Sequence, residues 1–155
     1  MLNVVPLSSQ LQIRTLADSE IDAVALHLGL ARLDQGDGVY LVAWIEETAV
    51  GHAYLTRTEP PQLQDVEVNS AFRRQGIAHK LVAAAEAVAR GYGATSLRLK
   101  VSARDTDVQR LYRSLGFVDA GIAPLQVRGV INIRTGPIEV DDTLLTWEKS
   151  IVSAK

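Results

Sequence analysis

One stretch limits what this chain can fold into. From Leu63 to Phe117 it runs strand, glycine-bearing turn, helix, strand, helix. The strand LQDVEV (Leu63–Val68) alternates Asp65 and Glu67 with Val66 and Val68, so its acids fall on one face and its valines on the other. The turn Ala71-Phe72-Arg73-Arg74-Gln75-Gly76-Ile77-Ala78 follows. Ile77, Leu81, Val82, Ala85, Val88 and Ala89 then recur at helical spacing and form an apolar stripe that needs a sheet to cover. Gly91 and Gly93 end that helix. Ser96–Val101 alternates as a second strand. Val108, Leu111, Tyr112 and Leu115 make a second stripe, capped at Asp105 and closed by Gly116.

A turn of this kind is also a ready anion site. The first N–H groups of a helix lack intrahelical partners, and the helix dipole adds partial positive charge there. Gly76 lets the backbone approach a phosphate closely, and Ala78 is small. Arg73, Arg74 and Lys80 offer charge-assisted contacts. Taken alone, the turn reads equally well as a plain connection.

The flanking segments supply more strands than helices. Leu11–Arg14 alternates as a first strand. Asp18 or Ser19 suits an N-cap, and Ile21, Val24, Ala25 and Leu28 predict a helix to about Leu30. Gln35–Gly38 is a turn. The apolar run Val39–Ile45 predicts a buried strand, and Glu46-Glu47-Thr48 turns it into Ala49–Arg57 as a hairpin. Pro60-Pro61 ends that strand, because proline cannot donate to a ladder. Phe117-Val118 and Val127–Ile133 read as strands, Gly136-Pro137 and Asp141-Asp142 as turns, and Leu144–Glu148 as a last strand. This pattern predicts a single α+β domain over residues 1–155, with residues 1–9 loosely attached and a mixed sheet.

Composition narrows the function. With 155 residues, 47% of them hydrophobic, the chain can bury roughly 70% of its unfolded surface. A net charge of -2 gives no reason to expect nucleic acid or an anionic membrane as partner. Cysteine is absent, which excludes disulfides, thiolate metal sites and a cysteine nucleophile. No G-x-S-x-G elbow occurs. His27, His52 and His79 lack metal-ligand spacing, so no metal is expected. His27 and His52 read as structural or surface residues, and His79 stands beside the phosphate turn. Trp44 and Trp147 read as core or sheet residues. The start MLNVVPLSSQ has no basic region typical of a secretory signal, and no apolar run approaches the roughly 20 residues of a spanning helix, so a cytoplasmic location is expected.

VNSAFRRQGIAHKLV, followed about thirty residues on by VSARDTDVQRLYRSLGF, resembles the GNAT superfamily of acetyl-coenzyme-A-dependent N-acetyltransferases. The first segment matches V-x-P-x-Y-R-x-x-G-x-G/A, with Arg73, Gly76 and Ala78. The second matches N-x-x-A-x-x-L-Y-x-x-x-G-F, with Leu111, Tyr112, Gly116 and Phe117. Ser70 and Phe72 replace the family's proline and tyrosine, and Asp105 and Val108 its asparagine and alanine. The resemblance implies a mixed, mostly antiparallel central sheet with flanking helices. It also implies an acyltransferase (EC 2.3.1) that moves an acetyl group from acetyl-CoA directly to a primary amine of a small molecule, amino acid or peptide.

The resemblance distributes the roles. The pyrophosphate falls to the backbone of Arg73, Arg74, Gln75, Gly76, Ile77 and Ala78. Pantetheine falls to Val66 and Val68 on a strand splayed from its neighbour, with the Val68 N–H as oxyanion donor, worth about 3 kcal/mol. Tyr112 is the expected partner of the departing sulfur, although its spacing alone describes a core tyrosine. Glu67 is the candidate for amine deprotonation, through water or by a raised pKa, since a carboxylate near 4.3 is a weak base for an ammonium near 10. Asp65 either shares that task or attracts a cationic amine, and two solvated acids remain the bland alternative. Asp105 is either a pantetheine contact or a plain N-cap. The acceptor would be shaped by Asp18–Gly38, Thr56–Gln62 and Pro124–Asp142, and none of these carries a motif. Two rivals stand beside the enzyme: a non-catalytic acyl-CoA-binding module, and a Rossmann-type dinucleotide binder, disfavoured because G-x-G-x-x-G is missing. The oligomeric state is open, a homodimer included.

Overall fold

The computed structural model describes residues 10–133 and 135–152; the start expected to be loose, residues 1–9, lies outside them. Strand β2 (Gly38–Ile45) explains the layering. Its apolar run is unbroken because both of its faces are buried. Leu41 and Ala43 enter one core, while Tyr40, Val42 and Trp44 enter another on the opposite face. Its antiparallel partner β3 (Thr48–Thr56) divides the same way, with Val50, Ala53 and Leu55 in the first core and Ala49 and Tyr54 in the second.

The remaining strands are β1 (Leu11–Thr15), β4 (Gln62–Val68), β5 (Ser96–Ser102), β6 (Val118–Asp119), β7 (Leu125–Ile133) and β8 (Gly136–Ser150). The sheet runs β1-β2-β3-β4-β5-β8-β6, and β7 pairs with β8 off that path. Every pairing is antiparallel except β4 with β5. This is the mixed, mostly antiparallel α+β architecture expected. Helices α2 (Ile77–Gly91) and α3 (Thr106–Ser114) lie over the first core, to which α2 contributes Ile77, Leu81, Val82, Ala85 and Ala89. Gly51 permits the close fit, because a Cβ there would lie 3.1 Å from Leu81 Cδ1 and 3.3 Å from Ile77 Cγ2. The start of α2 is thereby pressed against β3 and β4. Among the described residues, no helix is long and apolar enough to cross a membrane.

Three local expectations fail. The first helix does not reach Leu30: a 3-10 turn (Asp18–Glu20) leads into α1 (Ile21–Ala25), which then unwinds. Val24, Leu28 and Leu30 all reach the second core, while Leu26 is left 79% exposed; the unwound segment seats both later leucines. The N-cap is Ala17 rather than Asp18 or Ser19, and Glu20 Oε1 accepts from the Ala17 N–H at 3.1 Å. Gly136-Pro137 and Asp141-Asp142 are not turns but lie within β8. The strand continues through the paired acids because Asp141 meets Arg128 across the ladder, at 3.5 Å, and Asp142 Oδ1 accepts from Ser102 Oγ at 2.9 Å.

Candidate active site

Strands β4 and β5 pair only at Gln62 with Arg98 and Leu63 with Leu99. Beyond Leu63 they part, so the expected split is present. On its other side β4 stays bound to β3. The Asn69 N–H donates to Val50 O at 2.8 Å; by the alternation of an antiparallel ladder, the amides of Val68 and Val66 then turn toward the split. The Val68 carbonyl accepts from Arg73 Nε at 3.1 Å, which ties the arginine-rich turn to the end of β4.

That turn gathers left-handed backbone. Arg74 has φ 65° and Gly76, the residue before α2, has φ 79°. A Cβ at Gly76 would meet nothing within 4 Å, so the space above the helix start is open. The first intrahelical bond from the α2 start to Gly76 O comes from Lys80, at 3.2 Å. The amides of Ile77, Ala78 and His79 are therefore without helical partners. Arg73, Arg74, His79 and Lys80 are all exposed around them.

A cleft of about 550 Å³ joins these parts, within the roughly 300–1,000 Å³ of small-molecule sites. Strand β4 lines it with Val66, Glu67 and Val68, the turn with Arg73, Arg74 and Gly76, α2 with Ile77, Ala78 and His79, and α3 with Val108, Leu111 and Tyr112. One end is basic and the other carries Glu67. Of the residues expected at the site, Gln75 and Asp105 stay off this wall. Gln75 is exposed on the turn. Asp105 caps α3, its Oδ1 accepting from the Val108 N–H at 3.0 Å, the plain role that its side chain allows.

Tyr112 is 8% exposed and meets Phe117 edge to face at 5.7 Å. Burial pushes its hydroxyl up to about 12. Full proton donation to a thiolate near 8.5 would be uphill by about 5 kcal/mol. Below pH 10 the hydroxyl stays protonated and can serve as a hydrogen-bond donor.

The two acids of β4 differ. A bulge between the His52 and Tyr54 pairings puts Asp65 at φ 49°, a left-handed conformation that costs a non-glycine residue about 1–2 kcal/mol. Its carboxylate is bound: the Tyr40 hydroxyl donates to Oδ2 at 2.5 Å, and the same hydroxyl accepts from the Arg32 N–H at 2.8 Å. Burial first, then the bond to Asp65, push the Tyr40 hydroxyl far above the usual phenol value, so it remains a donor. Glu67 lines the cleft with its side chain 36% exposed.

Sequence reasoning missed His52 and Gly29. His52 is fully buried, with Nε2 3.9 Å from Asp65 Oδ2 and 3.6 Å from Glu67 Oε1. The three side chains bring ligand atoms within 4.8 Å of one another, a grouping that linear spacing cannot show. The available signal was a titratable residue inside the apolar run AVGHAYL. Gly29 lies over Glu67, 3.6 Å from Oε1 when its Cβ position is built. Of the segments expected around the acceptor, Asp18–Gly38 therefore comes against Glu67, a residue of the cleft wall. Thr56–Gln62 does not, because it sits at the end of β4 where the strand is still paired with β5.

The fold has many solved counterparts. An IAA acetyltransferase from Bacillus cereus superposes with a TM-score of 0.68 at 18% identity, over 90% of this chain and 99% of that one. A GNAT family acetyltransferase from Elizabethkingia anophelis, with acetyl-CoA bound, gives 0.66 at 17%, over 91% and 98%. A spermidine/spermine N-acetyltransferase from Vibrio cholerae, in complex with manganese ions, gives 0.70 at 15%, over 94% and 95%. No curated protein matches the chain by sequence. The model of the acetyltransferase (GNAT) family matches residues 11–117, from the first strand through both motif helices. With the split strands and the open helix start inside that span, the chain belongs to the GNAT family and is an acyltransferase of the EC 2.3.1 class.

Proposed function

We propose that this protein transfers an acetyl group from acetyl-CoA to a primary amine carried by a small molecule, amino acid or peptide. The observation that carries this is the split between β4 and β5, opening onto a helix start with free amides. These parts fit the cofactor: the room at Gly76 is open, and Ile77, Ala78 and His79, whose amides lack helical partners, line the cleft. The backbone of residues 73–78 holds the diphosphate, with Arg74 adding charge and Arg73 anchoring the turn to Val68. Val66 and Val68 present main-chain groups to pantetheine. The Val68 N–H polarises the thioester carbonyl, worth about 3 kcal/mol for a preorganised donor. Tyr112 donates a hydrogen bond to the departing sulfur.

Glu67 takes the amine proton, directly or through water. Asp65 does not share this task, since Tyr40 holds its carboxylate. The two acids, with no lysine or arginine partner among the described residues, favour a cationic amine. The E. anophelis structure holds acetyl-CoA and the V. cholerae relative is named for a polyamine substrate, in keeping with both halves of the proposal. The test is thiol release from acetyl-CoA with a panel of primary amines, together with a titration of acetyl-CoA binding. Amine-dependent release is expected. Tight binding without release from any amine marks a non-catalytic acyl-CoA-binding module instead.

A further inference from the structure

We infer that His52 is a positioning residue for amine deprotonation: its ring ties the Gly29 segment and the β4 bulge together and so holds Glu67 at the acceptor end of the cleft. This rests on the assignment of Glu67 as the base. The geometry is specific. The ring is fully buried. Nδ1 lies 2.9 Å from the carbonyl oxygen of Asp65, an oxygen displaced from the β3–β4 ladder by the bulge and in need of a donor. Nε2 contacts the carbonyl oxygen of Gly29, on the segment that lies over Glu67. Tyr40 stands against the ring edge to face at 4.9 Å and binds Asp65 from the other side. His52 and Glu67 are also directly paired across the β3–β4 ladder.

A neutral imidazole has one N–H and satisfies one carbonyl. Both ring nitrogens stand against carbonyl oxygens here, so in either tautomer the ring donates to one of the two segments and packs against the other. The charged groups facing the ring are the Asp65 and Glu67 carboxylates, both from β4. Tyr40 from β2 presents a neutral hydroxyl, and the Gly29 segment contributes only backbone. The tie fixes three pieces of chain that are far apart in sequence at the one place where the base must meet the amine.

The test has two arms. In the native protein labelled with 15N, His52 is expected to carry a slowly exchanging ring N–H held by a carbonyl oxygen; rapid exchange of the ring proton overturns the tie. In the second arm, the fastest amine of the panel is used with His52→Ala and His52→Asn, the latter keeping a donor toward Asp65 O. His52→Ala is expected to lower kcat by about 10- to 100-fold, as for a misplaced catalytic group, with the acetyl-CoA Kd unchanged and kcat partly restored in His52→Asn. Unchanged kcat in His52→Ala, or a parallel loss of acetyl-CoA affinity, overturns the assignment. Should His52→Ala fail to fold, the ring measurement decides, since it needs no variant. Glu67→Gln separates this inference from the one beneath it. If Glu67→Gln keeps full turnover while His52→Ala loses it, the base assignment falls; if Glu67→Gln loses turnover while both His52 variants keep it, the positioning role falls.

Discussion

The two ends of the cleft are built by different means. The basic end is made of backbone from one continuous stretch: the end of β4, the turn, and the first residues of α2. Its donors point correctly because a helix start always leaves its amides free, and Gly76 lets the chain reach that start. The acidic end is made of side chains from three separate strands and one backbone carbonyl. Tyr40 comes from β2, His52 from β3, Asp65 and Glu67 from β4, and the Gly29 carbonyl from the segment after α1. The first end depends on local conformation and tolerates varied side chains. The second depends on tertiary contacts, and a change to one partner is felt by the others.

This contrast can be broken experimentally, beginning with the largest effect. Glu67→Gln removes the proposed base and is expected to lower kcat by about 100-fold or more, with acetyl-CoA affinity unchanged by calorimetry. Gly76→Val places a β-branched residue at φ 79°. It is expected to weaken acetyl-CoA binding by about 30-fold, roughly 2 kcal/mol. Its melting temperature should fall by only a few degrees, since the left-handed φ strains any side chain by about 1–2 kcal/mol while a Cβ there meets nothing within 4 Å. An unaltered Kd would remove this turn from the phosphate site. Tyr112→Phe is expected to lower kcat about tenfold with little change in Kd, as loss of a donor used mainly in the transition state requires.

Smaller effects sharpen the other side. Tyr40→Phe removes the donor to Asp65 and the acceptor for the Arg32 amide. Chemical denaturation should show a loss of about 2 kcal/mol, and calorimetry an unchanged acetyl-CoA Kd. Tyr112 also carries a pH signature. Its folded-state pKa is raised from 10.0 to about 12 by burial, so its contribution is complete below pH 10 and is lost as pH climbs through 12. Over that window the native protein should lose about 3 kcal/mol more stability than Tyr112→Phe, which paired denaturation curves at pH 9 and above would measure.

The local elements were legible in the sequence where period and punctuation agree. Helix α2 was readable from its stripe, and Gly93, at φ 86°, stands beyond its end. The two motif segments named the family, which the match over residues 11–117 supports. Legibility failed where chain geometry answers to a distant partner. The stripe at Ile21–Leu28 overestimated the first helix because Leu28 and Leu30 both had to reach the second core. Asp141-Asp142 looked like a turn because Arg128 and Ser102, the groups that keep it extended, lie elsewhere in the chain.

By itself, then, the sequence determined the backbone end of the cleft, because left-handed glycine and free helical amides are properties of a few consecutive residues. Tertiary structure alone decided the side-chain end. Asp65 and Glu67 are two positions apart and chemically alike, and nothing local distinguishes them. They differ because Tyr40, brought alongside by sheet pairing, binds the carboxylate of Asp65, while the β4 bulge and the buried ring of His52 leave Glu67 lining the cleft.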